Sequence, residues 1–333
     1  MVITVNEAFD FFLTNYVNLD SNKTKSARNS RDWLLSQINS FPAKDINFPT
    51  LYLEKDISFG SFARRTKKRE LDDIDMMMAL SAEGGVYHEF SDRIELYVSD
   101  SSYKLKLLCF DNTNILNSRK VINKFISLLD KVSQYEKAEI NRNQEVARLK
   151  LKTYAWIFDI VPCFFTSKDL FGRDYYLIPD GNGYWKKTDP RIDRQRVQEI
   201  NQFHDGNVLN VIRLMKYWNR RPTMPSMSSY LLENMILNFY SAQSTKASGY
   251  VDLEVPKVLH YIQTAIFCQV NDPKGIQGNI NKLSPEEQDK ISKIAYLDCV
   301  KSLEARNLED KGEHKLSIAK WREIFGSDFP FYI

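Results

Sequence analysis

The sequence has little of what would staple, ligate or anchor a chain. Its 333 residues include only 4 cysteines and 4 histidines. Cys109, Cys163, Cys268 and Cys299 form no CxxC pair, and His88, His204, His260 and His314 are equally scattered. Such spacing excludes a zinc cluster and reads the cysteines as small core residues of a reduced chain. A chain of this length buries a large core without a disulfide or a metal. Long hydrophobic runs are missing too: the most apolar stretch, AWIFDIVPCFF, is too short to span a bilayer and carries Asp159 in its middle. The opening MVITVNEAFDFFLTNYVNLD lacks a basic n-region and is broken by Asn, Glu and Asp, unlike a signal peptide. A soluble, cytoplasmic protein with no membrane partner is expected. Charge of one sign is also lacking, with 46 Lys+Arg against 43 Asp+Glu and a net charge of +3. That excludes a positively coated protein holding long nucleic acid by counterion release, though not a local basic site.

What is present is an α+β pattern. Residues 1–45 space apolar residues at three and four in VNEAFDFFLTNYV and SARNSRDWLLSQINSF, which predicts helices, the second capped by Ser26 or Asn29. Between about 50 and 190 the texture becomes strand-like in LYLEKDISFG, DDIDMMMAL, RIELYVS, YKLKLLCF, EVARLKLK and AWIFDIVPCFF, with one helix at SRKVINKFISLLDKVSQYE. A largely antiparallel sheet follows from that pattern. Beyond PDGNGYWKKTDPRID the chain turns helical again, through RQRVQEINQFH, VLNVIRLMKYWNR, SSYLLENMILNFYSAQ, VPKVLHYIQTAIFCQV and SPEEQDKISKIAYLDCVKSLEAR. Two domains are expected, 1–190 carrying the N-terminal helices and a mixed-sheet lobe, 191–333 a helical lobe, with an N-terminal helix as a brace.

The chemistry concentrates in FGSFARRTKKRELDDIDMMMAL, residues 59–80. Residues two apart on a strand face the same way, about 6.6 Å apart, so Asp73 and Asp75 aim at one spot while Ile74 faces away. Asp159 stands alone inside a second apolar strand. If the two strands are neighbours, all three carboxylates converge; the alternative is that Asp159 is the buried partner of a lysine such as Lys152. Three ionised carboxylates about 5 Å apart repel by about 3 kcal/mol per pair at an effective dielectric of about 20, so a cation is needed to hold them. Hard oxygen donors of this kind suit two Mg²⁺ (or Mn²⁺) ions, which can activate a hydroxyl and stabilise a leaving pyrophosphate. The Gly60-Ser61 turn supplies backbone N–H groups and a hydroxyl for a triphosphate, and glycine permits close approach. Each piece alone is weak. A Gly-Ser turn, an Asp-Ile-Asp strand and a later buried Asp together point to nucleotidyl transfer.

With those residues in view, the chain resembles the polymerase-beta-like nucleotidyltransferases, and within them the cGAS/DncV-like nucleotidyltransferases (CD-NTases). Later motifs resemble the same family: PDGNGYWKKTDPR after the third acid, VIRLMKYWN, PSMSSYLLENM and the ending WREIFGSDFP. The resemblance implies a phosphate contact for Lys216 and for Ser229, and a base-stacking role for Tyr230. By spacing alone Lys216 is an exposed lysine on an amphipathic helix and Tyr230 a packing residue. The sequence departs from the family where Phe62-Ala63-Arg64-Arg65-Thr66 replaces the usual small residue and threonine after the turn. No Cys/His insertion and no platform for duplex DNA is evident.

The function implied is a synthase of a cyclic or linear oligonucleotide second messenger from (deoxy)nucleoside triphosphates, signalling to a separate effector in antiphage defence and requiring no long nucleic acid. A resemblance to the Hailong-type branch of the superfamily, which makes linear deoxyadenylate oligomers and can use a protein tyrosine as primer, would imply self-priming. Tyr332, next to the last residue, is the candidate here, against the simpler reading of an aromatic tail packed on the helical lobe. The competing functions are a template-independent transferase acting on RNA ends or a protein hydroxyl, and a regulatory subunit that binds nucleotide without turnover.

Overall fold

The computed structural model describes residues 2–225 and 227–333; Met1 and Ser226, the latter inside PSMSSYLLENM, lie outside the described residues. Contacts divide the chain into two units. The sheet unit comprises Asn22–Ala63 and Leu71–Arg191, and the helical unit comprises the chain up to Ser21, Arg64–Glu70 and Ile192–Ile333.

In the sheet unit, nine strands are found among the described residues: β1 (Ile57–Phe59), β2 (Asp73–Leu80), β3 (Val86–Glu89), β4 (Ile94–Tyr97), β5 (Glu139–Asn143), β6 (Val146–Lys150), β7 (Ile157–Phe165), β8 (Tyr176–Pro179) and β9 (Trp185–Thr188). They hydrogen-bond in the order β1-β2-β7-β8-β9-β4-β3, with β6 added to β7 and β5 to β6. Only β2 and β7 run parallel; every other pair is antiparallel. β6 takes the first half of the β7 edge and β8 its last two residues. The long apolar runs in β2 and β7 belong to strands paired on both edges, where both faces are covered. Met77, Ala79, Val161, Cys163, Tyr176 and Ile178 form a core cluster on one face. The helix Ser118–Leu129, capped by Asn117, buries Val121, Ile122, Phe125, Leu128 and Leu129 and packs against β5 to β8.

The helical unit is built on one large core. Helix Val5–Phe12, fixed by a capping box from Thr4 and Glu7, places Phe9 edge-on to Trp321 at 4.9 Å and to Phe329 at 5.0 Å. That aromatic packing is why the N-terminal helix belongs with the C-terminal helices and not with the sheet. The basic run 64–70 joins the same unit because Glu233 binds Arg64 and Thr66, and because the Arg69 N–H donates to the Val17 carbonyl at 2.8 Å. The division therefore falls at several points of the chain as well as after Arg191.

Several local expectations change. YKLKLLCF forms a single helical turn, Tyr103–Lys106, because its buried residues Leu105, Leu108 and Cys109 follow helical spacing. The second helix begins at Ser21, so Ser26 and Asn29 lie inside it and cap nothing. Cys268 is exposed, while the other cysteines are buried. No helix among the described residues is long and apolar enough to cross a membrane.

Candidate active site

Strand pairing assembles the acidic group in the sheet unit. β1 lies antiparallel to β2 with Phe59 opposite Asp75, so the next residue must turn immediately beside that carboxylate. Gly60 does so with φ +70°, in the left-handed region that favours glycine. A Cβ built there would fall 1.8 Å from Asp75 Oδ2. Space and backbone conformation both demand glycine. Ser61 follows in a one-turn helix, Gly60–Ala63. Across the other edge of β2, the parallel register sets Asp75 opposite Asp159 and Asp73 opposite Ile157. In-register residues of neighbouring strands lie about 4.8 Å apart and share a face, so Asp73, Asp75 and Asp159 occupy one patch of the sheet.

Asp159 also has a partner that the sequence did not reveal. Antiparallel pairing of β6 and β7 brings Arg148 opposite Asp159. The guanidinium grips both carboxylate oxygens, Nε to Oδ1 at 3.0 Å and Nη2 to Oδ2 at 3.3 Å. These hydrogen bonds, with the charge of Asp159 and of Asp73, push the Arg148 guanidinium above its ordinary value. The ionic alternative for Asp159 thus involves an arginine from the next strand and not Lys152. Among the described residues no three His, Cys, Asp or Glu side chains form a ready-made metal cage. The donor chemistry nevertheless fits a hard divalent cation: the backbone supplies three carboxylates on one patch, and Asp159 is turned to Arg148.

In the helical unit the expected nucleotide contacts have strong internal partners. Lys216, on helix Val208–Asn219, is buried, and its ammonium donates to Glu233 and to the Thr66 carbonyl at 3.2 Å. Arg64 Nε donates to Glu233 Oε1 at 2.7 Å and the Thr66 hydroxyl to Oε2 at 2.8 Å. Burial would raise the Glu233 carboxyl, but Lys216 and Arg64 overcome it and hold the group down at about 2. Lys216 is therefore neither an exposed lysine nor an uncommitted cation. Ser229 opens the helix Ser229–Ser241, while Ser228 caps it by accepting from the Tyr230 N–H at 3.3 Å. The Tyr230 hydroxyl donates to Asp193 at 2.7 Å. Its ring lies under the Lys274 ammonium at 4.5 Å and near the Arg64 guanidinium at 5.8 Å. Lys274 in turn pairs with Asp272 at 2.8 Å.

The tail bearing Tyr332 is tied to the same unit. The Ile333 N–H donates to the Val2 carbonyl at 3.0 Å, and the Arg322 guanidinium sits 3.5 Å from the Phe331 ring centre. Tyr332 keeps 41% of its surface exposed.

No family model matches the chain. A "Probable cyclic nucleotide synthase" of Bacillus cereus is 47% identical over 332 residues, covering 99% of both chains. The chain belongs to the CD-NTase family. It is a nucleotidyltransferase of the second-messenger class, and its α+β fold is the polymerase-beta-like one. An Acinetobacter cyclic AMP-AMP-AMP synthase is 26% identical over 200 residues, covering 58% of this chain and 55% of that protein. The solved structure of Escherichia coli CdnC with ATP superposes with a TM-score of 0.70 over 98% of each chain at 16% identity, a likeness of fold.

Proposed function

We propose that the enzyme joins nucleoside triphosphates into a cyclic oligonucleotide, releasing pyrophosphate at each step, and that the product signals to a separate effector protein in antiphage defence. The observation that carries this reading is the register of Asp75 opposite Asp159, with Gly60 turning against Asp75. The name of the Bacillus cereus relative supports a cyclic product, and that of the Acinetobacter relative supports adenylate among the substrates.

The reaction is attack of a ribose hydroxyl on the α-phosphate of a nucleoside triphosphate. Asp73, Asp75 and Asp159 would hold two Mg²⁺ or Mn²⁺ ions. Bound there, divalent ions supply charge neutralisation for the triphosphate and lower the pKa of the attacking hydroxyl. Asp159 takes the hydroxyl proton on a carboxylate oxygen. Gly60 and Ser61 offer backbone N–H groups and a hydroxyl to the phosphates, and the glycine lets them approach. In the helical unit, Ser229 is assigned a phosphate contact and the Tyr230 ring a stacking role toward a base. Lys216 acts through Glu233, which fixes Arg64 and Thr66, instead of gripping phosphate itself.

The test is a purified-protein assay with nucleoside triphosphates and Mg²⁺ alone. The synthase reading expects pyrophosphate and a nucleotide product without added RNA or protein. A product that appears only with an RNA or protein acceptor would favour the tagging transferase, and nucleotide binding without pyrophosphate would favour a regulatory subunit.

A further inference from the structure

Arg148 does not belong to the chemistry just described, yet it holds one of the acids on which that chemistry depends. It sits on β6, directly opposite Asp159. Its fork covers both oxygens of the carboxylate. With its oxygen turned toward the guanidinium, the Asn143 amide on β5 accepts from Nη1 and Nη2, each at 3.1 Å. The arginine thus has two holders, a neutral one on its own hairpin and a charged one on β7. The hairpin is steadied at its tip, where Glu145 pairs with Lys186 of β9. The Asp159 side chain is 14% exposed and that of Arg148 is 35% exposed, so the guanidinium lies on the solvent side of the pair. A long arginine side chain can withdraw from Asp159 and stay on Asn143 without any strand moving.

We infer that Arg148 is the resident counter-cation of the third carboxylate and competes with the divalent cation for it, so that Asp159 is released to the metal only when the metal arrives. This rests on the reading of Asp73, Asp75 and Asp159 as the metal-holding group. Two electrostatic consequences follow. Without metal, the guanidinium offsets the mutual repulsion of the carboxylates on the paired strands β2 and β7. With a divalent ion held there, the positive charge of Arg148 nearby would lower the affinity of the carboxylates for it. Arg148 is a positioning residue in this scheme: it acts through Asp159, which it must leave before that carboxylate takes part.

The experiment is titration of the full chain with Mn²⁺ in the absence of nucleotide, with the free ion followed by electron paramagnetic resonance. Removing the screened repulsion of one guanidinium should make Arg148→Met bind Mn²⁺ about tenfold more tightly than the natural protein. Arg148→Lys keeps the charge but loses the fork, and should fall between the two. Unchanged or weaker binding by Arg148→Met overturns the inference. Asp75→Asn, titrated in parallel, separates the two claims. If it binds Mn²⁺ as the natural protein does, the ion is not on these carboxylates and the metal reading itself fails.

Discussion

Gly60 is the residue whose identity the geometry dictates most tightly. Any side chain there meets the Asp75 carboxylate, and its φ of +70° is strained for other residues. Displacing a carboxylate by about 1 Å can cost about 10²-fold in rate, so Gly60→Ala should lose roughly that much pyrophosphate release. Thermal unfolding of the same variant should move far less than activity does. Glu233 makes the complementary prediction for stability. It is buried between two cations, and Glu233→Gln removes the counter-charge that Lys216 and Arg64 share, at a cost of about 3–5 kcal/mol read by denaturant unfolding. Because its carboxyl is held down at about 2 from an ordinary 4.5, its stabilisation is complete above pH 4.5 and is lost as pH falls toward 2. Glu233→Gln should flatten that acid limb. At this scale the acids and the Gly-Ser turn were legible, since a carboxylate inside an apolar strand stands out. Arg148 and Glu233 were not, because a charged residue on a strand or helix discloses no partner until the neighbouring element is known.

Among the elements, the strands that were read correctly are β1, at the end of LYLEKDISFG, and those with denser apolar content, β2, β4, β6 and β7. The missed ones are short: EINRN in β5, VYHE in β3, YLIP in β8 and WKKT in β9. Three of these are polar enough to pass for loops, and what makes them strands is hydrogen bonding to neighbours, not composition. YKLKLLCF failed for the opposite reason: its alternation of lysine and leucine mimics a strand, while its buried residues follow a helical turn. Helix Val5–Phe12 was legible as a helix, but its place in the helical core came only with its aromatic contacts. Phe9→Ala removes a ring packed edge-on against Trp321 and Phe329, and should lower stability by about 3–5 kcal/mol in urea unfolding.

For the whole molecule, the near-balance of 46 basic and 43 acidic residues hides a local separation. Five of the six residues 64–69 are basic, and Asp72, Asp73 and Asp75 follow within a few positions. The basic run is tied into the helical unit and the acids open β2 of the sheet unit. A charge total therefore says little about ligands, whereas the order of charges along the chain shows where the two signs separate. The most direct measurement of the central claim compares the natural protein with Asp73→Asn/Asp75→Asn in one assay. Each is incubated with mixed nucleoside triphosphates and Mg²⁺, pyrophosphate is quantified, and products are identified by mass spectrometry. The account predicts pyrophosphate and an oligonucleotide from the natural protein, and neither from the double variant. Undiminished pyrophosphate release by the double variant, or none from the natural protein, would contradict it.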